Sequence, residues 1–298
     1  MSLIPTPGFT GSPLVRIDIE RDNQDYFDQA VSSLSARLLR LDGLKPVLEP
    51  DGSLSWGSLA EADPDVDLAL LGLIDGKPRF VALAPVDMRQ DQRMGTINGA
   101  MAMTEPGAPA TYAAARSLVD WHNRHRFCAN CGQRTTVRRS GWARFCLKDA
   151  GGCGAEHFPR TDPVVIMLAE YGDKVLVGRN KNTMQGKFYS ALAGFLEVGE
   201  SIEDAVAREL FEEAGVIVTE VRYLTSQPWP IPSQLMIGCV AKVESNVVTL
   251  DTNELNDAIW VDRDQVRAAL AGEPDALFTM RYPLAIAHTL LQAWANGA

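Results

Sequence analysis

The stretch "GFLEVGESIEDAVARELFEEAGV", Gly194 to Val216, constrains this chain more than any other. It holds seven carboxylates, at Glu197, Glu200, Glu203, Asp204, Glu209, Glu212 and Glu213, against one cation, Arg208. Local chemistry resolves it into loop, helix and loop. Ser201 can cap a helix N-terminus, with Glu203 and Asp204 in the first turn, where the helix dipole favours negative charge. Ile202, Val206 and Leu210 recur every four residues and predict a buried stripe. Gly215 predicts the C-terminal stop. On such a helix Glu209 and Glu213 share a face at i and i+4, with Glu212 adjacent. Three carboxylates converging there would oppose folding unless something neutralised them, and a hard divalent cation such as Mg²⁺ or Mn²⁺ takes oxygen ligands. The bland alternative is a solvated acidic helix face. Glu197, Glu203 and Asp204 read as helix-end or surface charges.

The rest of the chain supplies a frame for that helix. With 298 residues, 46% of them hydrophobic, it can bury a sizeable core, as a soluble globular protein does. A net charge of −10 argues against broad nucleic-acid binding, which needs a basic face. It leaves room for a phosphate-bearing substrate, because bound cations invert the local sign. No signal peptide or membrane-spanning run is read, so the expected compartment is the cytoplasm. Three segments are expected: an N-terminal α/β unit over 1–125, a cysteine-rich unit over 126–160 and an alternating strand–helix unit over 161–298. In the first, "LALLGLIDGKPRFVALAP" predicts a hairpin turning at Asp75-Gly76, and "TYAAARSLVDWHNRH" a helix with Ala114, Leu118 and Trp121 at helical spacing. Nothing in it names a chemistry, so it reads as a scaffold or dimerisation domain. In the third, "PVVIMLAEYGDKVLVGRN" predicts two strands around Gly172-Asp173, and "VIVTEVRYLTSQPWP" a strand entering a loop. "LMIGCVAKV" and "DAIWVD" predict further strands, and "PLAIAHTLLQAWA" a closing amphipathic helix. That order fits a mixed sheet flanked by helices.

Four of the five cysteines fall within 26 residues, as Cys128-x2-Cys131, fourteen residues, then Cys146-x6-Cys153. Two such knuckles can present four thiolates to a structural zinc, and a segment with so little apolar content needs a staple. The second pair is stretched, and its polar, glycine-rich spacer, Lys148 to Gly152, would bulge out as a loop. Free thiols or a redox pair are the alternatives. His157 reads as a surface histidine that could substitute as a ligand, and Cys239, inside an apolar run, as an inert core residue.

The acidic stretch also has a fixed grammar: Gly194, five residues, Glu200, seven residues, Arg208-Glu209-Leu210, one residue, Glu212-Glu213, one residue, Gly215-Val216. It resembles the signature of the Nudix hydrolases, which hydrolyse a nucleoside diphosphate linked to another moiety. The resemblance implies an α/β fold (α+β): a Nudix α/β/α sandwich with a mixed sheet, preceded by a zinc ribbon and a smaller N-terminal α/β domain. It implies Glu209 and Glu213 as metal ligands, Glu212 as ligand or general base, the Ala193 carbonyl as a further ligand, and Arg208 bracing the box through Glu200.

Ten residues past that box stands "SQPWPIP", Ser226 to Pro232, stiffened by three prolines. Trp229 there is either a core tryptophan in a turn or a stacking platform for a flat ring. The element is similar to one that marks the NADH pyrophosphatase subfamily, whose members also carry an N-terminal domain and a four-cysteine zinc ribbon. What this implies is hydrolysis of NADH or NAD⁺ to nicotinamide mononucleotide and AMP, removal of NAD caps from RNA 5′ ends, and a homodimer. It further implies a substrate-binding segment of Gln227, Pro228, Trp229, Pro230, Ile231, Pro232, Ser233 and Gln234, aromatic contacts from Phe158 and Phe195, a contact at Ala287, and a metal-binding Glu254. The chain departs from the pattern at Ile231, at Ser233-Gln234 and at Gly141, where relatives place other residues. Arg138, Arg139 and Arg144 form a local basic cluster that would guide an RNA end, or simply three solvated arginines. Competing readings are a Nudix enzyme of ADP-ribose or another nucleotide sugar, and a catalytically silent nucleotide- or RNA-binding Nudix protein.

Overall fold

Strand Asp162–Tyr171 alternates its burial between two cores, and this alternation organises the C-terminal unit. In the computed structural model, which describes residues 4–87, 93–181, 186–280 and 282–298, the chain forms two compact units. One comprises residues 9–161 and 229–233, the other residues 1–8, 162–228 and 234–298.

The first unit contains strands β1 (Arg37–Leu39), β2 (Leu41–Asp42), β3 (Lys45–Pro46), β4 (Trp56–Gly57), β5 (Leu68–Ile74) and β6 (Lys77–Ala82). Four of them make a sheet in the order β4-β1-β6-β5. The β5–β6 hairpin pairs Ile74 with Lys77 across Asp75 and Gly76, both at positive φ (51° and 70°), a two-residue turn that matches strand twist. Helices α1 (Gln24–Ser32), α2 (Arg93–Met101) and α3 (Ala108–Arg124) accompany the sheet. Helix α3 stands where the sequence predicts it, with Leu118 and Trp121 buried and Ala114 half-buried, and the burial extends nearly all round, Arg116 and Asp120 included. A three-stranded sheet follows, β7 (Thr136–Arg138), β8 (Ala143–Phe145) and β9 (Glu156–His157).

The second unit is built on β10 (Asp162–Tyr171), β11 (Lys174–Asn180), β12 (Leu192–Phe195), β13 (Val218–Trp229), β14 (Gln234–Val243) and β15 (Leu255–Asp262). The sheet runs β13-β14-β10-β11-β15, with β12 also on β10. It is mixed: β10 and β14 are parallel, whereas β11 and β12 run antiparallel to β10. Both faces are covered. Val165, Met167 and Ala169 face one core with Val206 and Leu210 of α4 (Ile202–Ala214). Ile166 and Leu168 face the other with α5 (Arg263–Ala271) and α6 (Ile286–Ala295). This is an α/β/α sandwich. Two expectations shift. Strand β13 continues through the "SQPW" residues, which a sheet-edge strand tolerates because a proline's missing N–H there need cost no ladder bond. Helix α6 is buried over most of its circumference, because it fills the second core. Cys239 is fully buried in β14, and burial pushes its thiol up to about 11. Among the described residues no helix is long and apolar enough to cross a membrane.

Candidate active site and metal centre

Helix α4 starts and stops as its sequence dictates. Ser201 and Asp204 form a reciprocal capping box, and Gly215 closes the helix at φ 68°. Between them Glu209 and Glu213 are both buried, which is rare for carboxylates. Burial pushes Glu213 up to about 8, reinforced by the charges of Glu209, Glu254 and Asp251. Burial also raises Glu209, against the pull of Arg208. Three neighbouring carboxylates thus bear on Glu213, and Glu254, from the turn ahead of β15, bears on Glu209 as well. Glu212 lies on the exposed side of the helix.

Arg208 organises this surface. Its Nε and Nη2 donate to the two oxygens of Glu200, at 2.6 and 3.0 Å. Its Nη1 reaches Glu209 at 2.9 Å and Glu212 at 3.0 Å, and Nη2 also donates to the Phe195 carbonyl at 2.9 Å. The Arg208 contacts, aided by the Glu197 backbone N–H, hold Glu200 down at about 2. One guanidinium thus fixes the loop, the end of β12 and two carboxylates of α4. Ala193 and Gly194 sit in β12 against Ile166 and Val165. A Cβ on Gly194 would fall 1.8–2.2 Å from the Glu209 carboxyl atoms, so this position must be glycine for Glu209 to lie against the strand.

The "SQPWPIP" residues are held firmly. Gln227 is fully buried; its Nε2 donates to the carbonyls of Gly8 (2.9 Å) and Leu284 (2.8 Å), and its Oε1 accepts from Ile286 N–H (2.9 Å), the first amide of α6. Its amide is occupied by three backbone groups. Gln227→Ala is expected to cost about 2–4 kcal/mol of stability, since it strands those groups in the core; urea unfolding measures it. Pro228 and Pro232 are exposed, Trp229 and Ile231 half-buried and Pro230 buried. Trp229 meets Phe9 edge-on, with ring centroids 5.6 Å apart. Ser233 and Gln234 are half-buried, and Gln234 opens β14.

The sulfurs of Cys128, Cys131, Cys146 and Cys153 all lie within 4.8 Å of one another. Tetrahedral zinc, with Zn–S bonds of about 2.3 Å, would set sulfurs roughly 3.8 Å apart, so the cluster fits. The long second spacer forms a short 3₁₀ turn, Lys148–Ala150, and returns through Gly152, whose N–H donates to Leu147 O at 2.8 Å. A Cβ on Gly152 would lie 2.5 Å from Cys146 Sγ and 2.7 Å from Leu147 O. His157 does not replace a cysteine; its Nε2 is 3.2 Å from Cys128 Sγ, an outer contact that would orient a ligand.

Residues 159–282 match the NUDIX domain family, and residues 123–158 match the NADH pyrophosphatase zinc ribbon domain. A Mycobacterium bovis protein named NAD-capped RNA hydrolase NudC is 34% identical over 273 residues, covering 87% of this chain and 86% of the relative. The chain belongs to the Nudix hydrolases. Human NAD-capped RNA hydrolase NUDT12 is 45% identical over 188 residues, 61% of this chain, and an Arabidopsis thaliana protein, Nudix hydrolase 19, chloroplastic, is 36% identical over 227 residues. This chain spans 40% of the length of the human relative and 51% of the plant one.

Other sequence-derived positions in the Nudix chain scatter. Phe195 (57% exposed) ends β12 beside the Arg208 network. Phe158 (51% exposed) follows β9, with the Arg139 guanidinium 5.8 Å from its ring centre. Ala287 is buried in the core formed with α6. Gly141 explains one departure from the family pattern: a Cβ there would strike Ala69 at 2.3–2.5 Å. The three-arginine cluster divides. Arg144 is spent internally on Thr135 and His122, whose ring burial holds neutral, down to about 4. Arg139 faces Asp22 at 3.4 Å, and only Arg138 is exposed. Sequence reasoning missed Asp251 and Arg116. Asp251, three residues before Glu254, adds charge at Glu213, and nearness to Glu254 was its only signal.

Proposed function

We propose that this chain hydrolyses the pyrophosphate of NADH and NAD⁺ to nicotinamide mononucleotide and AMP, and removes NAD caps from RNA 5′ ends. The observation that carries the reading is the pair of buried carboxylates Glu209 and Glu213, one turn apart on α4, with the charges of Glu254 and Asp251 reaching Glu213. Hard oxygen donors of this kind suit Mg²⁺ or Mn²⁺. Glu209, Glu213, Glu254 and the Ala193 carbonyl would hold the ions, leaving Glu212 as the base. When bound, they polarise the phosphoryl oxygens, lower the pKa of water and stabilise the leaving phosphate. Glu212, exposed at the edge of the cluster, accepts the proton of the attacking water. Water adds to one phosphorus, the bond to the bridging oxygen breaks, and the two mononucleotides separate. Arg208, with Glu200 and Gly194, orients the acids without taking part in bond changes. In this reading Pro228 to Gln234, Trp229 foremost, bind substrate on a segment held at Gln227, and Phe158, Phe195 and Ala287 are further contact residues.

The relatives named NAD-capped RNA hydrolase support the substrate class, and the "SQPWPIP" segment favours it over ADP-ribose. The reading further includes a cytoplasmic homodimer, three segments at 1–125, 126–160 and 161–298, and a structural zinc. The test is incubation of the protein with NADH and Mg²⁺ or Mn²⁺, with products identified by mass spectrometry and Glu213→Gln run alongside. Reduced nicotinamide mononucleotide plus AMP are expected, with turnover lowered by about 10³-fold or more in the variant. Cleavage of ADP-ribose but not NADH would discard the NAD assignment, and cleavage of neither would favour a silent binder.

A further inference from the structure

The segment Pro228 to Pro232 has an unusual difficulty. Prolines at alternate positions remove every second backbone N–H, leaving donors only at Trp229 and Ile231. Such a segment is best anchored through its carbonyl oxygens, and an anchor must therefore bring donors to it. Arg116 does so. It lies in α3, 4% exposed, and its Nη1 donates to the carbonyls of both Pro230 and Pro232, the latter at 3.1 Å. Its Nε donates to Thr96 Oγ1 at 3.0 Å, which fixes the plane of the guanidinium. A buried cation without acceptors would be severely destabilising, so the carbonyls and the arginine each need the other. Pro230 is buried, and the neighbouring Trp229 ring abuts Phe9.

We propose that Arg116 is a positioning residue for the substrate-binding segment: by gripping the carbonyls of Pro230 and Pro232 it sets the height and tilt of Trp229 toward a flat ring of the dinucleotide. This rests on the reading of Trp229 as a substrate platform. Arg116 touches neither metal nor reacting phosphorus, and it acts through the segment alone. The N-terminal unit then supplies a specificity element and is more than scaffold.

The test uses the full chain and NADH, comparing Arg116→Gln, Arg116→Lys, Trp229→Ala and the Arg116→Gln/Trp229→Ala double variant, with melting temperatures recorded. Arg116→Gln is expected to raise KM about tenfold while kcat stays within about threefold, because ground-state binding is lost and the acid cluster is untouched. Arg116→Lys, which keeps the charge and loses the fork, is expected to recover part of that loss. In the Trp229→Ala background, Arg116→Gln is expected to add less than about twofold, the signature of two residues acting through one contact. An unchanged KM in Arg116→Gln, or full additivity in the double variant, overturns the proposal. If Trp229→Ala alone leaves KM unchanged, the platform reading itself falls, and the proposal with it. Should Arg116→Gln fail to fold, Thr96→Val removes the oxygen that orients the guanidinium, one that also meets the Tyr112 hydroxyl, and leaves the arginine in place. A KM rise of about threefold is then expected, and none overturns the proposal.

Discussion

Gly194→Ala is expected to lower kcat/KM for NADH by about 10²–10³-fold while the protein melts within a few degrees of the parent. Two facts set this combination. The added methyl would fall on the Glu209 carboxyl group, 1.8–2.2 Å from its atoms. Those atoms are the free end of a flexible side chain, so Glu209 can swing away and the strand need not move. The cost to the fold is then small, and α4 keeps its capping box and its buried stripe. The cost to the site is large, because Glu209 leaves both the acid cluster and its 2.9 Å contact with Arg208. The metal concentration giving half-maximal rate is expected to rise by about 10–100-fold, the scale of losing a ligand or its support. Glu209→Gln should match the variant, and the double variant should be little worse than either. Near-parental activity in Gly194→Ala would show that Glu209 is not used where it lies.

The second large effect concerns the cysteine cluster. Cys128→Ser is expected to abolish stoichiometric zinc and to open residues 126–160 to protease, with a fall in melting temperature above about 10 °C. The segment has few apolar side chains of its own, and structural zinc sites of this kind are worth about 10–16 kcal/mol in isolated finger peptides. Gly152→Ala tests the stretched spacer separately. Its methyl would meet Leu147 O at 2.7 Å as well as Cys146 Sγ, and a backbone oxygen cannot swing aside. Zinc affinity is expected to drop by about 10–100-fold, read by competition with a chromophoric chelator. Full affinity would mean that the loop refolds around the methyl.

What was legible in the sequence was local. The cap at Ser201, the stop at Gly215, the Asp75-Gly76 turn and the strand pair around Gly172-Asp173 each depend on a few adjacent residues, and each stands where its chemistry puts it. The cysteine cluster was legible because sulfur at such spacing has few other uses. What escaped depends on distance along the chain. Arg116 and Pro230 are 114 residues apart, and Gln227 and Gly8 are 219 apart; no periodicity links such pairs. Helix α6 was expected to show a polar face, but the second core closes over it. Strand β13 runs on through prolines that, in isolation, read as a loop.

Between Gly8 and Gln234 the backbone passes four times from one compact unit to the other, at residues 8/9, 161/162, 228/229 and 233/234. The protein is for that reason not modular in the way its two family matches suggest. An excised segment covering the NUDIX match alone would lack the Gly8 carbonyl that Gln227 holds and the arginine fork that grips Pro230 and Pro232. A recombination event at residue 161 would exchange the anchors while leaving the anchored sequence untouched.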